Sequence, residues 1–285
     1  MPERVSIRIM KESDLVLAGA WAAAESWTSE TIDDFESFLA YDPGGCFILE
    51  SRGEPAAVCI ATRYGEKAFL GEMIVTRTAR GLGLGPILFD RALRHLLALG
   101  CRSVSLDAVP KAASFYETRG FRTIALSLRC RGLIPASRET GVRPLEPADL
   151  PMVLTIDRLA FGADRSFFLR RRLAQYPELA WIRTDGKRIK GYIFGRRRNG
   201  FAWAGPWWSA EPDGGDEALL RGFALGSGDI AIQAGILDTN ARAVELVRSL
   251  GFVEKPNPSR RMVMGAGNPV GIHPSLLAIG TAGKG

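Results

Sequence analysis

Apolar and polar residues alternate at period two through Val5-Ser6-Ile7-Arg8-Ile9, which predicts an opening strand with one buried face. The period then lengthens to that of a helix at Leu15, Ala18, Trp21, Ala22 and Glu25, behind the polar start Glu12-Ser13-Asp14. A second helix is predicted from Glu30 through Phe35 and Phe38 to about Tyr41, where Asp42-Pro43-Gly44-Gly45 ends it. Three strand-like runs follow at 46–50, 56–64 and 68–75, joined by Arg52-Gly53-Glu54-Pro55 and Gly65-Glu66-Lys67. Short connections containing glycine make these an antiparallel meander. Leu88, Ala92, Leu96 and Leu99 then share one helical face, with Phe89 and Leu93 beside them, Arg91 and Arg94 facing away, and Gly100 as the stop. A strand at 103–109, a short helix at 110–119 and a last strand at 123–129 complete the order β-α-α-β-β-β-α-β-α-β.

The order then restarts. Val142-Arg143-Pro144-Leu145 with Glu146-Pro147-Ala148-Asp149-Leu150 echoes Ile7-Arg8-Ile9-Met10 with Lys11-Glu12-Ser13-Asp14-Leu15, and Asn240-Ala241-Arg242 through Leu250-Gly251-Phe252 echoes Val109-Pro110-Lys111 through Arg119-Gly120-Phe121. One fold occurs twice. At 285 residues the chain exceeds the usual single domain. Residues 131–141 carry Gly, Pro and Ser with little apolar content, so the expected division is 1–130, a linker at 131–141, and 142–285.

The stretch with the most chemical content is Arg80-Gly81-Leu82-Gly83-Leu84-Gly85-Pro86, between the apolar run ending Glu72-Met73-Ile74-Val75 and the helix beginning Ile87-Leu88-Phe89. Glycines at alternate positions admit close backbone approach, and Pro86 suits the first position of a helix. The orphan amides of a helix start and the macrodipole favour an anion there, so a phosphate-bearing ligand is expected. Spacing rejects two commoner phosphate loops. The sixth position of a dinucleotide fingerprint is Pro86 or Leu88 instead of glycine, and no Lys-Ser/Thr follows the last glycine as a Walker loop needs.

The pattern Arg-x-x-Gly-x-Gly, filled by Arg80, Gly83 and Gly85, resembles the acyl-CoA pyrophosphate loop of the GNAT superfamily of N-acyltransferases. Phe115-Tyr116-Glu117 followed by Gly120-Phe121 adds to that resemblance. Trp21 to Trp27, Asp42-Pro43, Gly53-Glu54-Pro55 and Leu106-Asp107-Ala108-Val109-Pro110 are similar to bacterial tandem GNAT proteins whose second domain lacks the loop. The resemblance implies an α/β (α+β) fold of two tandem GNAT domains, each a mixed, mostly antiparallel twisted sheet flanked by helices. It implies acetyl-CoA as co-substrate, lying in a wedge where the fourth and fifth strands splay, with its pantetheine against the backbone of Met73, Ile74 and Val75. The pyrophosphate falls to Arg80, Gly81, Leu82, Gly83, Leu84 and Gly85, and Tyr116 is placed to protonate the departing thiolate. Many members have Asn seven residues before that tyrosine, where this chain has Val109; the second half keeps Asn240 but has Val247 at the tyrosine position. The second half offers only Ala204-Gly205-Pro206-Trp207-Trp208 and Asp213-Gly214-Gly215-Asp216 in the loop region, so one acetyl-CoA per chain is expected, in the first domain.

Transfer to an amine requires the neutral amine, and an alkylamine has a pKa near 10, so a carboxylate or a water chain must take its proton. Candidate bases are Asp107, Glu72 and Glu25. Asp107 leads, because an acid inside an apolar strand is costly to bury without a role. A fourth-strand amide near Val75 would stabilise the oxyanion. No Cys has a patterned His partner, which favours direct transfer in a ternary complex over an acyl-enzyme. Trp21, Glu25 and Trp27 are candidate acceptor contacts; Trp203, Trp207 and Trp208 are expected to pack between domains, and His95 to sit on a helix flank. The runs Arg170-Arg171-Arg172 and Arg196-Arg197-Arg198 read as solvated faces.

Lys+Arg 37 against Asp+Glu 31, a net charge of +6, fits an acidic ligand without requiring one. Cys46, Cys59, Cys101 and Cys130 lack metal spacing and read as buried thiols in a reducing cytoplasm. Met1-Pro2-Glu3-Arg4 has no signal core and no window approaches the roughly 18 apolar residues of a span, so a cytoplasmic protein without membrane or nucleic-acid partners is expected. The leading function is acetyl transfer to a primary amine of a small molecule. A CoA-binding sensor without chemistry and a protein acetyltransferase that recruits its acceptor through the second domain are the competing readings. Acceptor identity and oligomeric state are not encoded in any of these signals.

Overall fold

A computed structural model describes residues 5–27, 30–210, 214–281 and 283–285; Met1 to Arg4 and Asp213 lie outside the described residues. The chain divides into two compact units. The first is Met1–Leu106 with Met264–Gly267 and Lys284; the second is Asp107–Val263 with Asn268–Gly283 and Gly285.

The first unit contains β1 (Val5–Ile9), α1 (Leu15–Ala24), α2 (Ile32–Tyr41), β2 (Cys46–Ser51), β3 (Glu54–Tyr64), β4 (Lys67–Val75), α3 (Leu84–Ala98) and β5 (Ser103–Ala108), whose last two residues count with the second unit. The sheet order is β1-β2-β3-β4-β5, antiparallel until the parallel pair β4–β5. A 3-10 turn at Glu12–Asp14 precedes α1, so that α-helix begins later than its polar start suggested. The reason is an ion pair: Arg8 donates to both oxygens of Asp14 at 2.6 and 2.9 Å, and the Lys11 amide donates to the same carboxylate at 2.7 Å. Leu88, Phe89, Ala92 and Leu96 of α3 are buried against β2, β3 and β4. Leu99, expected on that face, is exposed because it is the C-cap, where Gly100 at φ 82° turns the chain.

The second unit contains α4 (Ala113–Glu117), β6 (Arg122–Gly132), β7 (Val142–Pro144), α5 (Leu150–Phe161), α6 (Ser166–Gln175), β8 (Ala180–Asp185), β9 (Arg188–Arg198), β10 (Phe201–Ser209), α7 (Gly215–Ser227), β11 (Ile232–Leu237), α8 (Ala241–Ser249), β12 (Val253–Glu254), β13 (Ser259–Gly265) and β14 (Leu276–Ala278). Its sheet runs β13-β6-β11-β10-β9-β8-β7, with β12 on β6 and β14 on β10. The sheet is antiparallel throughout apart from β10–β11. β6 belongs to the first sequence repeat, yet it pairs with β11 from Ser127↔Leu237 to Gly132↔Ile232 and with β13 from Ser127↔Ser259 to Arg122↔Val263.

The sequence echo has a physical counterpart. Arg143 donates to both oxygens of Asp149 at 2.7 and 2.8 Å and the Glu146 amide adds a bond at 2.9 Å, reproducing the arrangement at Arg8 and Asp14. In both copies the arginine hydrogen bond outweighs burial and holds the aspartate below the ordinary carboxylate range.

In this unit the tryptophans pack, within it and not between domains, while the reading of Arg196-Arg197-Arg198 as a solvated face fails. Trp207 is a core residue in the cluster with Leu219, Phe223, Ile236 and Val247, and Trp208 stacks on Tyr192 at 5.7 Å, so both pack inside the unit. Arg196 is fully buried beneath Trp203 and Arg198 is buried beside Tyr176, while Arg197 reaches out to the carbonyls of Gly226 and Ser227 that end α7. A strand sends alternate residues to opposite faces, so only the middle arginine of this run faces solvent. All four cysteines are buried thiols. Among the described residues no helix is long and apolar enough to cross a membrane, and no cluster of His, Cys, Asp and Glu is arranged to hold a metal ion.

Candidate acyl-CoA wedge and catalytic residues

β4 changes register against β3 between Ile74↔Val58 and Gly71↔Ile60, leaving Glu72 and Met73 as a bulge opposite Cys59. Glu72 takes φ 49°, a left-handed conformation uncommon for a residue with a side chain, and its side chain is buried. The bulge coincides with the end of the parallel ladder. β4 and β5 pair only at 67–69 against 103–105, after which β4 runs on to Val75 with β3 alone as its partner among the described residues. The backbone of Met73, Ile74 and Val75 thus lies along a splay between two parallel strands. That is the main-chain edge on which an extended ligand pairs.

The glycine loop closes over the end of this edge. After a 3-10 turn at Arg77–Ala79, Gly81 has φ 81° and Gly83 φ 74°, and Gly83 is the N-cap of α3. No atom lies within 4 Å of where a Cβ on either glycine would stand, so both face open space. A Cβ on Gly85 would sit 3.6 Å from Val75 Cγ2 and 3.8 Å from Met73 Cε, which places the first turn of α3 directly over the two strand residues. Pro86 is the third helical residue, not the first as its character suggested; its missing N–H still falls among the orphan donors. The amides of Gly83, Leu84 and Gly85 are therefore the donors available to an anion.

Arg80 bridges strand and helix. Its Nε donates to the Val75 carbonyl at 3.1 Å and its Nη2 to Glu25 Oε1, while Arg77 donates to the Ala24 carbonyl at 2.9 Å. Glu25, one of the three candidate bases, is thus the counterion of the loop arginine. A pair this exposed is worth about 0.2–1 kcal/mol. Glu25→Gln is expected to release Arg80 toward a bound phosphate and tighten CoA binding by about threefold. Isothermal titration checks this, and weaker binding would show that Glu25 does not restrain Arg80. Trp21 and Trp27 are half-buried, on α1 and just beyond its end.

Asp107, the leading candidate base, is held in a buried ion-pair cluster. Its side chain is 1% exposed, and it accepts from Arg261 Nε at 2.5 Å, from Arg261 Nη2 at 3.3 Å and from Ser127 Oγ at 2.9 Å, with Arg129 Nη2 at 3.6 Å. Burial pushes its pKa up, but the charges of Arg261 and Arg129 and the hydrogen bonds of Arg261 and Ser127 overcome this and leave it low. Two guanidiniums give the buried acid its reason to be there. A carboxylate so committed is a weak proton acceptor, and it acts as the hub joining β5, β6 and β13. Nothing in the local sequence announced it, because Arg261 is 154 residues away.

Tyr116 lies in α4 of the second unit, half-buried, with its ring edge-to-face with Phe115 at 5.0 Å and Phe121 at 6.1 Å. His95 packs edge-to-face on Phe47, and burial with the charge of Arg91 lowers its pKa. It is a packing residue on the α3 flank.

A parallel splay beneath a glycine-capped helix start, in a chain whose element order restarts, defines a class: a duplicated mixed α/β fold. Family comparison gives the particular one. Residues 14–121 match the acetyltransferase (GNAT) family and residues 153–275 match an acetyltransferase (GNAT) domain, so the chain belongs to the GNAT superfamily of acetyltransferases, with two such domains in tandem. Among characterised proteins it is 27% identical over 243 residues to the holothin acyltransferase of Pseudoalteromonas sp., spanning 84% of this chain and 81% of that protein. It is 35% identical over 150 residues to the mycothiol acetyltransferase of Streptomyces scabiei, covering 46% of this chain and 47% of that one. The fold is shared with a crystal structure of an acetyltransferase-like protein from Pyrococcus horikoshii, at TM-score 0.81 and 23% identity over 99% of this chain and 96% of the other.

Proposed function

We propose that the chain is an N-acetyltransferase that moves an acetyl group from acetyl-CoA to a primary amine of a small molecule, by direct transfer in a ternary complex. The observation that carries this is the first wedge: β4 bulges at Glu72, parts from β5, and presents the backbone of 73–75 beneath the helix start that Gly81 and Gly83 keep open. These residues fit the cofactor. Met73, Ile74 and Val75 would pair with its pantetheine, Arg80 and the amides of 81–85 would hold its pyrophosphate, and the bound thioester would supply the acetyl group.

The Val75 amide is proposed as oxyanion donor and Tyr116 as the acid that protonates the thiolate, on its place in the Phe115-Tyr116-Glu117 motif. With Asp107 removed and Glu25 paired to Arg80, Glu72 at the bulge is the carboxylate proposed to accept the amine proton, directly or through water. The two curated relatives are named for holothin and mycothiol, both small molecules, which supports a small-molecule acceptor over a protein one. The acyltransferase names and family matches speak against a sensor without chemistry.

A thiol-release screen over amines, amino acids, polyamines and aminoglycosides with excess acetyl-CoA tests the reading; absence of turnover with the whole panel would overturn it. Tyr116→Phe is expected to lower kcat by about 30-fold at little change in KM. This is less than the usual 10²–10⁴-fold, because a thiolate with pKa near 8.5 is already a fair leaving group. Steady-state kinetics at pH 7 read the split.

A further inference from the structure

β10 and β11 repeat the splay of β4 and β5. Their parallel pairing spans 202–204 against 232–234, the register against β9 then shifts at Gly205 and Pro206, and β10 continues to Ser209. This second splay holds a strand. β14 lies antiparallel on β10, with Trp207 opposite Ala278 and Trp208 opposite Leu276. The Ser209 amide donates to the Ser275 carbonyl and the Ile279 amide to the Gly235 carbonyl, each at 2.9 Å, so the segment is bonded to both parted strands. Leu276, Leu277, Ala278 and Ile279 are buried.

The walls are shaped for this occupant. A Cβ on Gly205 would stand 2.1 Å from the Ile279 carbonyl oxygen, and one on Gly235 would stand 2.9 Å from Ile279 Cγ1. Asn240, the N-cap of α8, donates through Nδ2 to the carbonyls of Pro274 and Leu276, both at 2.9 Å. The helix start is closed to anions as well. α7 is capped by Gly214 at φ 78°, much as Gly83 caps α3, but its first turn carries Asp216 and Glu217, and Arg242 is spent on Asp216 at 2.7 and 2.6 Å. Carboxylates in that turn repel a pyrophosphate. The second GNAT match ends at residue 275, immediately before β14.

We infer that the second wedge is a binding site for an extended peptide strand, with residues 275–279 of this chain as its resident ligand, and that it takes no acyl-CoA. A tethered ligand acts at an effective concentration on the order of millimolar, which a cofactor at lower concentration and without a phosphate site does not displace. The inference rests on the proposed function only in naming acyl-CoA as what the strand excludes.

Hydrogen exchange of the full chain, read by mass spectrometry with and without saturating CoA, tests it. Segments 203–209 and 275–279 are expected to exchange at least about 100-fold more slowly than an unstructured peptide and to be unchanged by CoA, while 71–85 gains protection. Gly235→Val, which keeps a strand-compatible residue but crowds Ile279, is expected to speed exchange in both second-unit segments, and adding Ile279→Ala, which removes the crowded side chain, to restore protection of 203–209. Free-peptide exchange of 275–279 in the unaltered chain, or loss of its protection on adding CoA, overturns the inference without recourse to the variant. If CoA protects nothing anywhere, the proposed function fails while the protection of 275–279 still decides this one.

Discussion

Gly83→Asp is expected to abolish measurable acetyl-CoA binding while leaving the fold in place. Gly83 sits at φ 74° as the cap of α3 with no neighbour near its missing Cβ, so a side chain there meets no clash. Aspartate tolerates the left-handed region better than most residues, and the strain costs about 1 kcal/mol. The charge is what matters. It is placed where the orphan amides of the first turn and Arg80 would meet a pyrophosphate. Three charge-assisted hydrogen bonds, each worth about 1.5 kcal/mol at the low end, correspond to roughly a thousandfold in affinity. Titration calorimetry of CoA against variant and parent measures it, with circular dichroism melting as the control for folding. Affinity within tenfold of the parent would remove the loop from the cofactor site. Gly83→Ala, neutral at the same φ, is expected to lose far less, which separates charge from backbone strain.

The second large effect concerns stability instead of binding. Asp107→Ala leaves Arg261 fully buried without its principal counterion, and breaking a buried pair by removing one partner costs about 3–5 kcal/mol. Urea unfolding at pH 7 reads this loss; a cost below about 1 kcal/mol would deny Asp107 its role as hub. The pH dependence has a definite sign. Since the folded state lowers the pKa of Asp107, its stabilisation is complete above the unfolded value of about 3.9 and is lost as pH falls through the folded value. Asp14 and Asp149 act in the same direction with smaller weight, being less buried. Asp107→Asn distinguishes this role from catalysis: a base would lose turnover at unchanged stability, whereas the hub loses stability first.

The parts of this fold that were legible in sequence are those fixed by neighbours. The alternation at 5–9, the apolar face of α3 and the glycine loop each carry their cause within a few residues, and the order of elements in the first repeat followed from them. Three features were illegible for one shared reason, that their partners are remote. Leu276-Leu277-Ala278 is too short to show a period, and the room for it is made by the remote Gly205 and Gly235. The meaning of Asp107 waits on Arg261, and the place of β6 waits on β11 and β13. The run at 196–198 is different, because its period-two burial was implicit once Arg188–Arg198 was recognised as a strand, and treating three arginines as one charged block concealed it.

The arginine–aspartate pairs at Arg8 and Asp14 and at Arg143 and Asp149 have a use beyond stability. Each couples the entering strand to the next helix through the same three hydrogen bonds, at 26% and 40% exposure of the arginine side chain. The molecule therefore carries a matched internal control. Arg8 Nε also donates to Glu50 Oε1 at 2.6 Å. Removing Arg143, and removing Arg8 in a Glu50→Ala background, and comparing the two losses within one polypeptide under one solvent condition therefore measures how solvent access scales a bidentate ion pair.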